Sequence, residues 1–227
     1  MEQSVFNEHA VGRRIVRAAE DRFRIARRMV ADPGALATVS DLVRRGPTEE
    51  AEAPWWNKRA IRYLSHQLQP AARVFEWGSG GSTVWLARQG IAVTSIEHNP
   101  EWVTNVIDRC PSADIRAIPG TTHGSLRSHS GWLDRGQLFF DDYVAAIDQF
   151  EDESFDIIIV DGVCRIECVH RGAPKVKPGG ILIVDDTDLK LLSPPRKLLP
   201  GWRSVSLSGF KKTSRDFRET TFFYRPR

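Results

Sequence analysis

Val74-Phe75-Glu76-Trp77-Gly78-Ser79-Gly80-Gly81-Ser82-Thr83 is the stretch on which the reading of the fold turns. A short apolar run passes directly into glycines, and Ser82 or Thr83 stands where the next helix would be capped. Glycine lets the backbone come close to a ligand, and free N–H groups at a helix start make a polar cradle. In open α/β sheets such a cradle lies at the carboxyl end of a strand, where ligands bind. A dinucleotide does not suit this one. Its fingerprint needs glycine at the first, third and sixth places, which are Gly78, Gly80 and Thr83 here. Glu76 also puts a negative charge just ahead of the first glycine, where a diphosphate would have to approach.

Working outward, short apolar runs alternate with helical patterns. Strands are expected at Arg73–Trp77, Ala92–Glu97, Asp114–Ile118, Asp156–Val160 and Gly180–Val184. Helices are expected at Ser82–Gln89, Pro100–Cys110, Asp141–Phe150, Cys164–Ala173 and Leu189–Leu199, with another opening at Pro54. Such alternation predicts βαβ units and a parallel sheet covered on both faces. The last two runs, Trp202–Leu207 and Phe217–Tyr224, have no helix between them and predict an antiparallel hairpin at the sheet edge. Ahead of this, residues 9–31 carry apolar side chains three and four apart, and 35–45 reads as a second short helix. The chain therefore divides into an N-terminal helical extension, 1–53, and an α/β domain, 54–227.

The second strand ends in Glu97, nineteen positions after Gly78, where a carboxylate can accept hydrogen bonds from both hydroxyls of a ribose; His98 follows, beside the adenosine edge. Glu76 would welcome a ligand bearing an amino group and a sulfonium. Phe75 to Ala87 resembles motif I of class I S-adenosylmethionine-dependent methyltransferases, and Val93 to Pro100 resembles their ribose-binding motif. Phe155 to Gly162 and Val176 to Gly180 are similar to their fourth-strand motif and to the turn before strand five. The resemblance covers about 70 to 227. It implies a Rossmann-like, seven-stranded, mostly parallel sheet with an antiparallel last strand. It also implies S-adenosylmethionine as cofactor, held by Glu76, Gly78, Ser79, Gly80, Ser82, Thr83, Glu97 and His98.

Sulfonium methyl transfer is an in-line displacement, so the protein mainly aligns the acceptor and, for a hydroxyl, helps remove its proton. Acids at the ends of strands four and five are the candidates: Asp161, Asp185 and Asp186. Both strand ends face one crevice, and clustered carboxylates suit a hard cation such as Mg²⁺. The pattern is similar to metal-dependent small-molecule O-methyltransferases of the catechol, caffeoyl-CoA and macrocin types. That likeness implies Asp161, Asp185 and Asp186 as metal ligands. The chain departs from the catechol type where a lysine base is expected, holding Cys164 there and Arg165 next, so that Asp161 or Asp185 would have to take the proton or the metal alone would suffice. Helix capping by Asp186 or Asp188 explains the same acids without a metal.

Composition narrows the remaining classes. Net charge is +3, too small a bias to demand a nucleic-acid partner, although seven arginines crowd residues 13–28. An odd count of three cysteines argues against a disulfide framework, and no apolar run approaches a membrane span, so a cytoplasmic protein is expected. Cys164, Cys168 and His170 lack the second ligand pair of a zinc site and read as buried helix residues. The polar stretch 119–136, with Trp132 as an aromatic wall, reads as a substrate lid or as a plain surface loop. The expected activity is methylation of a small-molecule hydroxyl, with a homodimer as the expected assembly. Two alternatives stand beside it: nucleic-acid or N-methylation without a metal, and a binding module that keeps only the fold. Base N-methylation in this fold goes with an Asn/Asp-Pro-Pro-aromatic motif, and Asp161-Gly162-Val163 stands in its place.

Overall fold

The computed structural model describes residues 22–23, 25–39, 53–128, 137–211, 214 and 216–227. Helix α1 (Lys58–Ser65) precedes β1 (Arg73–Trp77), α2 (Gly81–Arg88), β2 (Ala92–Glu97), α3 (Pro100–Ile107) and β3 (Asp114–Ala117). Then come α4 (Asp141–Ala145), β4 (Phe155–Val160), α5 (Arg165–Gly172), β5 (Val176–Val184), β6 (Arg203–Phe210) and β7 (Phe217–Tyr224). The strands form one sheet in the order β3-β2-β1-β4-β5-β7-β6. The first five run parallel, whereas β7 pairs antiparallel with both β5 and β6. This is the Rossmann-like methyltransferase sheet that the sequence predicts. The terminal hairpin is inserted so that β7, the last strand in sequence, lies inside the order and β6 takes the edge.

Both faces of the sheet are dry because the central strands alternate apolar side chains to either side. Phe75, Trp77, Ile158, Val160, Leu182, Val184 and Phe223 pack on one face under α4 and α5. Val74, Ile157, Ile159, Ile181, Ile183 and Phe222 pack on the other, against Trp56 and α1 and against Leu86 of α2. By this parity Glu76 belongs to the second face, between Val74 and α2. The register sets Trp77 beside Ile96 and Val160, and Val160 beside Val184, so the strands end at one level.

Several expected helices differ. Leu189–Leu199 holds only turns and a 3-10 helix at Pro195–Lys197, because Pro194 and Pro195 have no N–H to give a helix. Leu192, Leu198 and Leu199 still bury on the first face. The helix expected from Pro54 begins at Lys58, where the Asn57 side chain caps it by accepting from Ala60 N at 3.1 Å. Asp141–Phe150 divides into α4 and a 3-10 turn, Ala146–Gln149. Residues 22–23 and 25–31 are helical and Pro33–Thr38 is a 3-10 helix followed by Val39, while the remainder of the expected 9–31 and 35–45 helices lies outside the described residues. Among the described residues no helix is long and apolar enough to cross a membrane.

Candidate cofactor cleft and carboxylate cluster

The glycine loop forms the floor of a cleft of about 290 Å³, lined by Gly78, Ser79, Gly80, Gly81 and Ser82 together with Glu97, His98, Asp161, Gly162 and Arg165, among others. Gly78 has φ +99°, and a Cβ there would come within 2.7 Å of the Gly162 N. Glycine at 78 therefore lets the β1–α2 turn lie directly against the β4–α5 turn. Gly80 N reaches Thr83 Oγ1 at 2.9 Å, closing the loop onto the first turn of α2.

Glu76 is fully buried below this loop and does not line the cleft. Its carboxylate accepts from Ser82 Oγ, from Thr83 Oγ1 at 2.5 Å and from Ser95 Oγ at 2.8 Å, Ser95 being its register neighbour on β2. Burial pushes its pKa up to about 7 even though the three hydroxyls pull the other way, and the nearby Asp161 charge adds to the rise. Ser82 and Thr83, expected as cofactor contacts, both bond this buried acid; Ser82 also lines the cleft.

Glu97 ends β2 at the cleft wall, 4% exposed, with Oε1 accepting from Asn99 N at 2.8 Å. His98 Nδ1 lies 2.8 Å from the same oxygen without hydrogen-bond geometry, a close contact whose charge depends on imidazole protonation. Two tryptophans, Trp55 and Trp102, complete the wall. Trp102 donates from Nε1 to Ser79 O at 2.7 Å, and its ring lies 5.7 Å from that of Trp55. The loop, a carboxylate beside it and a tryptophan pair form a site suited to an adenosine: glycine gives close approach, Glu97 offers an acceptor to hydroxyls, and the rings give flat apolar area.

The three expected acids converge. One ligand oxygen each from Asp161, Asp185 and Asp186 lies within 4.8 Å of the others. They are not free, however. Asp161 Oδ2 accepts from Trp56 Nε1 at 2.9 Å, and its Oδ1 from Arg165 Nη2 at 3.1 Å. Asp185, wholly buried, accepts from Thr220 Oγ1 at 2.7 Å and from Lys211 Nζ at 2.6 Å. Asp186, at φ +56°, pairs with Lys211 at 2.8 Å and with Arg165 at 3.2 Å, and Arg218 stands at 3.6 Å. Each of the six oxygens thus has a donor or a cation within 3.2 Å. Burial raises Asp185 to about 8 although Lys211 opposes the rise. Burial also works against the Lys211 charge, but Asp185, Asp186 and Asp161 outweigh it and raise that pKa.

A divalent cation needs oxygens at roughly 2.0–2.6 Å and would have to expel the lysine. The donor set as it stands does not fit a metal. Asp185 does not line the cleft, whereas Asp161 and Asp186 do. Sequence reasoning missed Lys211 and Trp56 as partners of these acids, and no local signal marks either one.

Arg165 ties the strand ends together. It donates to Gly162 O at 3.0 Å and to Asp161 O at 3.0 Å, and also bonds the Asp185 carbonyl. Beyond it lies a second, larger pocket of about 410 Å³, bounded by Val163, Ile166, Leu189, Leu191 and Leu192 with Glu167 and Arg218. Gly162, Arg165 and Asp186 border both cavities. Cys164 and Cys168 are buried, as expected, Cys168 within α5 and Cys164 as the residue that precedes it. His129 and Trp132 of the expected lid lie outside the described residues. The described part of that stretch is pinned through Asp141, which accepts from Ser125 N and Leu126 N at 2.9 and 3.1 Å.

Residues 75–187 match a family model described as a methyltransferase domain. No curated protein matches the chain. Among solved structures, the chain is similar to the N-methyltransferase NodS from Bradyrhizobium japonicum WM9 in complex with S-adenosyl-L-homocysteine. The identity is 14% and the TM-score 0.51, over 85% of this chain and 98% of that one. It is also similar to a methyltransferase-like protein from Silicibacter pomeroyi DSS-3, at 22% identity and TM-score 0.48, over 81% and 89% of the two chains. The likeness to the first is one of fold.

Proposed function

We propose that this chain, a methyltransferase by its domain and fold, carries the methyl group of S-adenosylmethionine to a hydroxyl of a small-molecule acceptor. The observation that carries the reading is the adjacency of two cavities. One has a glycine floor, Glu97 and paired tryptophans, and the other is larger and mostly apolar, and Gly162, Arg165 and Asp186 line both. When bound, the cofactor supplies a methyl group already activated as a sulfonium. Glu97 would hold the ribose hydroxyls, the Gly78–Gly80 backbone would lie against the rest of the cofactor, and Trp55 and Trp102 would shield the adenosine from water.

The chain's remaining task is alignment and proton removal. Of the two acids proposed for the proton, Asp161 lines the cleft, whereas Asp185 is wholly buried and does not. We therefore assign the proton to Asp161, with Trp56 and Arg165 holding its carboxylate in place. No step is routed through a metal, because the donor set does not fit one.

A nitrogen acceptor is the second reading, and one observation favours it. Among the described residues, Glu167 Oε2 is buried without a hydrogen-bond partner on the wall of the larger pocket, where an N–H group would satisfy it. Calorimetric titration of the purified chain with S-adenosylmethionine tests the cofactor reading, and also separates an enzyme from a fold kept only as a scaffold. Saturable binding that Glu97→Ala weakens by about tenfold or more supports it, since a hydrogen bond to a charged group is worth about 1.5–3 kcal/mol. Absence of binding by the folded wild type overturns it. Product analysis with paired alcohol and amine acceptors then separates the two acceptor readings.

A further inference from the structure

The carboxylate cluster holds an ammonium in the position where the O-methyltransferase resemblance implies a metal. Lys211 follows the last residue of β6 and is only 9% exposed. Its backbone is fixed on both sides, pairing as an isolated bridge with Asn57 and donating from N to Asp216 O at 2.8 Å. The side chain is thereby directed inward, and Nζ reaches Asp185 Oδ2 at 2.6 Å and Asp186 Oδ1 at 2.8 Å. A lysine ammonium is a compact point charge, unlike the planar fork of arginine, and so can stand at the centre of converging oxygens.

We infer that Lys211 is the resident cation of the Asp161–Asp185–Asp186 cluster and closes it to divalent metals. Formal charges agree with this. Among the described residues, the three carboxylates face Lys211, Arg165 and Arg218, and Arg218 is shared with Asp188 at 3.5 Å. A divalent cation added beside Lys211 would place two like charges among the same oxygens in a largely buried site, which is strongly unfavourable. Without the ammonium, the same acids would carry a net negative charge with their oxygens already gathered within metal-binding reach. The inference is independent of which acceptor the larger pocket takes.

The test is a Mn²⁺ titration followed by electron paramagnetic resonance, on the full chain as wild type, as Lys211→Met and as Lys211→Met/Asp185→Asn. Removing one positive charge about 3 Å from a divalent cation is worth about a hundredfold in affinity even when screened as in water. Lys211→Met is expected to bind one Mn²⁺ about a hundredfold more tightly than the wild type, and Asp185→Asn to abolish the gain. A folded Lys211→Met that binds no more tightly than wild type overturns the inference. Should that variant fail to fold, the wild type decides alone. A titration with no saturable binding supports the inference, and one-site binding lost in Asp185→Asn overturns it.

Discussion

Replacing Glu76 with glutamine should make the stability of this protein less dependent on pH. Glu76 is wholly buried, and its pKa rises from an ordinary 4.5 to about 7. A carboxyl raised in this way favours folding while it is protonated. As pH climbs from 4.5, the unfolded chain releases the proton first, and the folded chain keeps it until about 7. Stability present below the lower value is therefore lost across that window. At about 1.4 kcal/mol for each pH unit, the gap is worth about 3 kcal/mol in full. Roughly 2.5 kcal/mol of it falls between about pH 5 and pH 8.5. Glutamine has nearly the same shape, does not titrate, and can still meet the hydroxyls of Ser82, Thr83 and Ser95, which can turn to accept from its amide. Asp185 is also raised, to about 8, but it stays in both proteins and cancels in the comparison. Urea unfolding of wild type and Glu76→Gln at the two pH values reads the difference directly. Wild type should lose about 2.5 kcal/mol more than the variant. Parallel pH dependences would refute the account of a buried acid that titrates near neutrality.

Gly162→Ala should destabilise by about 1–3 kcal/mol, because the new Cβ would stand 2.0 Å from Tyr143 Oη; Tyr143→Phe in the same chain should recover part of the loss in thermal unfolding. Trp56→Phe removes the donor to Asp161 Oδ2 while keeping most of the ring, and should cost about 1.5–3 kcal/mol in denaturant unfolding. A cost near zero would mean that the indole N–H does not hold Asp161.

The sequence by itself determined the architecture and the floor of the site, because both are written in short range. β1, β2 and β7 have the predicted bounds, since alternation and glycine punctuation act over a few residues. The loop from Gly78 to Ser82 and the acid ending β2 fall together because parallel strands end at one level. The helix expected at Leu189–Leu199 failed on equally local grounds, the two prolines outweighing the leucine pattern.

What each acid faces was decided only by the tertiary structure. Glu76 turns to α2 and its hydroxyls because of its parity on β1, a choice that depends on which helix covers that face. Trp56 reaches Asp161 across 105 positions, and Lys211 reaches Asp185 from beyond β6. In sequence, three aspartates at strand ends look like an open metal site. Whether their charge is already balanced depends on cations delivered from distant elements, and spacing along the chain carries no record of that.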